Sequence, residues 1–179
     1  NALGTYSLFH TRSRLRNVIF RWVYRKATQI VVVSNFVRRQ IEKSGFRLKN
    51  PLTIPVGVDC TRFAKTAESS PGEEAPEGRY ILGVGGIKSR KGFHLSIDAF
   101  ARLAPRFPDL LYVIVGSHNE EDPYYLSIRK SAEAQGVLDR IVWKQGLDDQ
   151  ELIRLYRGAE LFVLAPITTP DALEGFGMV

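Results

Sequence analysis

Residues that mark several common ways of working are scarce in this 179-residue chain, which has one cysteine, Cys60, and three histidines, His10, His94 and His118. A lone cysteine excludes an internal disulfide, and these four residues lack the paired spacing that holds zinc, so no metal site and a reducing compartment are expected. No run of about 18 consecutive apolar residues is present, and the first residues lack the apolar stretch of a secretory leader. These absences predict a cytoplasmic protein. The spaced Gly-x-Gly-x-x-Gly dinucleotide fingerprint is missing too, as is any internal repeat.

Acidic residues are missing from one region only. Residues 1–50 hold eleven Lys and Arg against a single acid, Glu42, a net +10, whereas residues 51–179 hold fourteen against eighteen, a net −4. Nucleic acid, anionic lipid and a phosphorylated substrate would each be drawn to the basic part over about a Debye length, roughly 8 Å at physiological salt, and a solvated face is the plain alternative. No nucleic-acid recognition motif is present, which argues against that partner. Phe9, Phe20, Trp22 and Tyr24, interleaved with the basic residues, suit a helix core better than base stacking.

Apolar residues make up 44% of the chain, enough for one good-sized domain or parts of two. Leu15, Val18, Ile19 and Trp22 share a narrow arc and predict a basic amphipathic helix from Arg12 to Ala27. The β-branched run Ile30–Val33 reads as a strand, Ser34 as an N-cap, Asn35–Ser44 as a helix ended by Gly45, and Leu52–Pro55 as a further short strand. Residues 64–78 are rich in Pro, Gly, Ser and Glu, hold almost nothing that packs, and predict a linker. Beyond it strands (Tyr80–Val84, Leu111–Val115, Ile141–Trp143, Leu161–Leu164) alternate with helices (Phe93–Leu103, Tyr124–Gln135, Asp149–Arg157). That alternation predicts an α/β fold, a parallel sheet with crossover helices whose ligands gather outside the carboxyl ends of the strands.

Candidate site residues fall at those ends: Gly85 and Gly86, Gly116, Gly146, and the loop from Ala165 to Glu174. The turn Gly85-Gly86-Ile87-Lys88-Ser89-Arg90-Lys91-Gly92 offers bare amides and two cations at the expected opening of a helix, a combination suited to phosphate. In Glu174-Gly175-Phe176-Gly177 a carboxylate able to accept sugar hydroxyls stands beside glycines that admit a ring to the backbone; the same Glu can also serve as a first-turn helix residue. His118 follows Gly116-Ser117 at a strand end, and a loop histidine there is either exposed or within reach of a ligand. Glu120, Glu121 and Asp122 are consecutive and cannot all face one bond, so they read as solvated charge.

The order of motifs resembles the retaining, GT-B-fold glycosyltransferases of family 4, the group 1 glycosyltransferases. Ile30-Val31-Val32-Val33-Ser34 is similar to the last strands of that family's acceptor domain. Ile54-Pro55-Val56-Gly57-Val58-Asp59 with Phe63 resembles its interdomain turn, with Val56 where Asn is usual, and Val84-Gly85-Gly86-Ile87 through Lys91-Gly92 its first donor-domain turn. Val142-Trp143-Lys144-Gln145-Gly146, then Glu151-Leu152 and Leu155-Tyr156, resemble the base-binding strand and next helix, and Glu174-Gly175-Phe176-Gly177 the start of a two-glutamate motif.

The resemblance implies residues 1–63 as the tail of an α/β acceptor domain and 79–179 as a Rossmann-type donor domain, incomplete, since the second glutamate would fall past Val179. It implies transfer of a hexose from a nucleotide diphosphate sugar to a glycan or lipid-linked acceptor, with retention and without a cofactor or metal. Lys91 would hold the diphosphate, Glu174 and the Gly175–Phe176–Gly177 amides the sugar, and the backbone at Gly146 and Leu147 the base. Gly86 stands where the family often has Arg, which makes Arg90 the substitute cation. Lipid-linked acceptors would place the enzyme peripherally at the inner membrane face, with residues 12–43 toward anionic lipid. Two other readings remain open, a non-catalytic module binding nucleotide or anionic lipid, and a nucleotide-sugar epimerase of the same architecture.

Overall fold

The computed structural model describes residues 14–59, 76–168, 174, 175 and 177. The chain divides into two compact units, residues 1–58 with 167–178, and residues 59–166 with Val179. Most of the expected linker, 64–75, and His10 lie outside the described residues.

In the first unit, α1 (Arg14–Lys26) leads into β1 (Ile30–Val32), followed by α2 (Asn35–Lys43) and β2 (Pro51–Thr53), and β1 and β2 pair in parallel with Ile30 opposite Pro51 and Val32 opposite Thr53. Ser34 has the extended conformation of an N-cap and its Oγ accepts from the Val37 amide at 3.2 Å. Gly45, at φ +80°, closes α2. Ile30, Val32, Val33, Val37, Ile41 and Phe46 form the core, with Phe20 and Tyr24 of α1 packed against it. Of the aromatic residues expected to suit a helix core, Phe20 and Tyr24 point inward, whereas Trp22 is 62% exposed, on the same outward arc as Val18 at 64%.

The second unit holds β3 (Tyr80–Val84), α3 (Phe93–Leu103), β4 (Leu111–Val115), α4 (Pro123–Ala134), β5 (Ile141–Lys144), α5 (Asp149–Gly158) and β6 (Leu161–Phe162). Its strands lie in the order β5-β4-β3-β6 and every pairing is parallel. Because successive side chains of a strand face opposite ways, Ile81, Tyr112 and Ile114 join Phe93, Ile97 and Ile128 on one face, and Leu82, Val84, Val113 and Val115 join Leu155 on the other. Several predicted ends move by one or two residues. β6 is two residues shorter than expected, although the Val163 amide still donates to Leu82 O at 2.8 Å. The chain steps outward from β3 to β4 to β5 and then returns to the far side of β3, so the sheet's switch point lies at β3.

Two glycines inside this unit make room for buried tyrosines. A Cβ on Gly83 would sit 2.7 Å from the Tyr112 hydroxyl, which donates to Ser96 Oγ at 2.8 Å, and a Cβ on Gly158 would sit 2.4 Å from the Tyr80 hydroxyl. Burial pushes the Tyr112 hydroxyl up to about 12, so it remains a donor at physiological pH.

Candidate functional site

Past the carboxyl ends of β3, β4 and β5 the loops stay stitched together. The Gly85 amide donates to Val115 O at 2.8 Å, the Ile87 amide to Ser117 O at 3.0 Å, and the Gly116 amide to Lys144 O at 2.9 Å. A Cβ on Gly116 would lie 1.9 Å from Gly85 O, so this approach of the two loops requires glycine. Gly85, Gly86 and Gly116 are thereby fixed as one backbone surface at the switch point. The Gly86 amide, by contrast, has no acceptor among the described residues.

Lys91 belongs to the same surface. It is only 9% exposed, and its Cε and Nζ lie 3.4 and 3.7 Å from where a Gly85 Cβ would be. Its aliphatic stem thus rests on bare Gly85 backbone, which leaves the ammonium at the turn. Arg90 beside it is half-buried.

The expected convergence of a helix N-terminus with these cations takes a different form. Ser89–Lys91 make a separate 3-10 turn, Gly92 is left-handed at φ +71°, and α3 starts only at Phe93. Gly92 cannot be replaced without moving backbone, since its Cβ would fall 1.7 Å from Ala165 O. With glycine at the cap position, α3 is capped from outside: the His94 amide donates to the Tyr124 hydroxyl at 3.2 Å, and His94 Nδ1 lies 2.9 Å from that oxygen. Burial raises the Tyr124 hydroxyl above its ordinary range, with the backbone amides pulling the other way. One of the helix amides is therefore already engaged, and Lys91, Gly86 and the 3-10 turn carry the anion-binding potential.

His118 is not simply exposed. Its Nδ1 lies 3.0 Å from Gly116 O, so Nδ1 carries the proton, and its ring stacks on Tyr125 with centres 4.3 Å apart and meets Trp143 edge-on with centres 6.4 Å apart. Asp122, read above as solvated charge, caps α4 by accepting from the amides of Tyr124 and Tyr125. Gly146, at φ +74°, is exposed with open space where a Cβ would go, whereas the Leu147 side chain packs on the sheet and leaves only its backbone to a ligand.

Glu174, Gly175 and Gly177 fall within the first unit, and Phe176 lies outside the described residues. Ser34 Oγ, besides capping α2, donates to Gly175 O at 2.8 Å. Sequence reasoning missed this second role; the only available signal was that a hydroxyl can donate and accept at once.

This geometry has company among known proteins. The chain is 27% identical to mannosylfructose-phosphate synthase of Agrobacterium fabrum over 95% of its length, and 30% identical to the GDP-mannose-dependent alpha-(1-6)-phosphatidylinositol monomannoside mannosyltransferase of Mycolicibacterium smegmatis over 70%. It spans 38% and 34% of those two proteins. Among solved structures, sucrose-phosphate synthase of Thermosynechococcus elongatus superposes with a TM-score of 0.66 at 17% identity, over 93% of this chain and 40% of that one. OtsA in its apo form gives 0.68 at 13%, over 92% and 45%. Both likenesses speak for the fold, which is that of GT-B glycosyltransferases in part of their length. The family model described as glycosyl transferases group 1 matches residues 65–179, a stretch that takes in the whole β3–β6 sheet and its glycine turn, and to that family the chain belongs.

Proposed function

We propose that the protein of which these residues form part transfers a hexosyl group from a nucleotide diphosphate sugar to a glycan or lipid-linked acceptor, with retention at the anomeric carbon. The bond from that carbon to the diphosphate oxygen breaks, one to an acceptor oxygen forms, and the acceptor proton leaves. The observation that carries this reading is Lys91, laid over Gly85 at the switch point of a parallel sheet. An ammonium held there would bind the diphosphate and stabilise the charge it gains as it departs, a task that needs no metal when cations supply it. Arg90 is the second cation, Gly116 and the backbone of Gly146 and Leu147 face the nucleoside, and Glu174 with Gly175, Phe176 and Gly177 takes the sugar. Relatives named for GDP-mannose, a phosphatidylinositol mannoside and a sugar phosphate support this donor class and this range of acceptors.

Calorimetry on the full-length protein tests the site. Lys91→Ala should weaken nucleoside diphosphate binding by about 1.5–3 kcal/mol, the range of a charge-assisted contact, whereas Glu174→Ala should lower turnover and leave nucleotide affinity nearly intact. Unchanged affinity in Lys91→Ala would remove the phosphate assignment. Residues 1–179 by themselves are proposed not to turn over, and nucleotide release above background from a panel of labelled nucleotide sugars would refute that. The working location proposed is the cytoplasmic membrane face, because exposed Val18, Ile19, Trp22 and Val23 on α1 stand beside Arg21, Arg25 and Lys26.

A further inference from the structure

A cleft of about 380 Å³ in the first unit is lined by Arg21, Arg25, Gly45, Phe46 and Arg47. This volume lies in the range of small-ligand pockets, and among the described residues every ionisable group on its wall is a guanidinium. Arg21 is held in place: its Nε donates to Asn17 Oδ1 at 2.8 Å, its Nη1 to Gly45 O at 3.0 Å, and its guanidinium lies 5.4 Å from the centre of the Phe46 ring. Gly45 admits it, since a Cβ there would come within 3.2 Å of Nη2. Arg25 stands one turn along the same face of α1 and Arg47 on the loop after α2, and neither has an acceptor among the described residues.

The bland explanations cover part of this. Arg21 satisfies the carbonyl at the end of α2, and Arg25 in the last turn of α1 suits the helix dipole. Neither accounts for Arg47, the third guanidinium of a cleft lined by no carboxylate among the described residues. Like charges four apart on a helix repel by a few tenths of a kcal/mol, and an anion reverses the sign of that interaction. The nearest acid in sequence, Glu42, is taken by Arg38 at 3.1 Å. Arginines around a small concave surface are the arrangement that grips phosphate oxygens two at a time.

The cleft is also at the opposite end of its unit from Ser34 and Gly175. It lies where α1 ends and the chain turns toward the start of β2, at the amino ends of the strands, whereas Ser34 and its partner Gly175 lie at the carboxyl end of β1. We infer that Arg21, Arg25 and Arg47 form a second anion site, separate from the donor site, that binds a phosphate ester. The same chemistry is presented by a free phosphorylated metabolite and by a lipid headgroup.

Two arms separate these sources on the full-length protein: titration with inorganic phosphate and glycerol phosphate, followed through the arginine side-chain NMR signals, and co-sedimentation with phosphatidylcholine vesicles with and without phosphatidylglycerol. A response of Arg25 and Arg47 in the first arm assigns a soluble phosphate, and binding confined to phosphatidylglycerol vesicles assigns a headgroup; either supports the site. Substituting Arg25→Gln with Arg47→Gln should cut that binding about tenfold or more. Both side chains are exposed and without hydrogen-bond acceptors among the described residues, so the fold should be unaffected, as a thermal melt will check. Lys91→Ala should leave this binding unchanged, which separates it from the donor site. The inference is overturned if neither arm gives binding, or if Arg39→Gln with Lys43→Gln, which removes the same charge from exposed positions on α2, lowers binding as much.

Discussion

Particular arginines of the two units are used in opposite ways. In the second, two guanidinium groups are spent internally: Arg140 donates to Ala104 O at 2.9 Å, to Leu110 O at 2.6 Å and to Phe107 O while lying 5.4 Å from the Phe100 ring, and Arg79 pairs with Glu160. Its strands β3 and β4 are covered on both faces. In the first, Arg25 and Arg47 have no acceptor among the described residues, and α1 turns Val18 and Trp22 outward. The lesson is that one kind of residue is structural where carbonyls surround it and is addressed to something outside where they do not.

The hardest test of the second unit is Gly92→Ala. Its Cβ meets a backbone oxygen rather than a flexible side-chain end, and the left-handed conformation adds a penalty of its own. We expect a loss of about 4 kcal/mol or more in denaturant unfolding. A midpoint unchanged from the parent would mean that Ala165 does not approach Gly92 as described. Next in size is Arg140→Met, which keeps the aliphatic stem but takes away the side-chain donors of Leu110 O and leaves Ala104 O and Phe107 O with their backbone donors alone, and should cost about 1–3 kcal/mol. Arg25→Gln should change stability by less than about 0.5 kcal/mol. If those two variants proved equally destabilising, the contrast drawn between the units would collapse.

Much of the second unit was legible in the sequence. Leu111–Val115 and Tyr80–Val84 are strands of five with apolar side chains on both faces, and Phe93–Leu103 has a periodic buried face, so local pattern and tertiary burial agree. The site was less legible, because its geometry depends on approaches between segments distant in sequence. Nothing in Gly92 announces Ala165 O, and nothing in Tyr124 announces the amide of His94. Trp22 departs from the expected helix core for a related reason: periodicity shows that a face is apolar, but packing decides which apolar residues of α1 meet the core. Ser34 illustrates the limit most simply, as its capping role is local and readable and its bond to Gly175 is neither.

A smaller test bears on how the candidate site is framed. Tyr124→Phe removes the hydroxyl that accepts from the His94 amide and leaves the ring edge-on to His94. The loss should be about 1 kcal/mol, that of a helix cap, with nucleotide affinity nearly unchanged. A large fall in affinity at unchanged stability would instead give Tyr124 a direct part in binding.

The smallest effect should come from Arg79 and Glu160, which join the residue before β3 to the residue before β6 across the sheet edge, with Nε to Oε1 at 2.5 Å. The hydrogen bond from Arg79 holds the Glu160 carboxyl below its ordinary value of 4.5, with burial opposing. A carboxyl whose folded value is depressed contributes stability fully above the unfolded value, and that contribution drains away as pH falls through the folded one. The stability difference between the parent and Glu160→Gln should therefore be constant from neutral pH down to about 5, shrink in more acidic solution, and weaken with added salt, because both side chains are in solvent. A difference that grew on acidification would contradict the assignment. Arg140 supplies the comparison: its acceptors are carbonyls that do not titrate, so its contribution should hold over the same range.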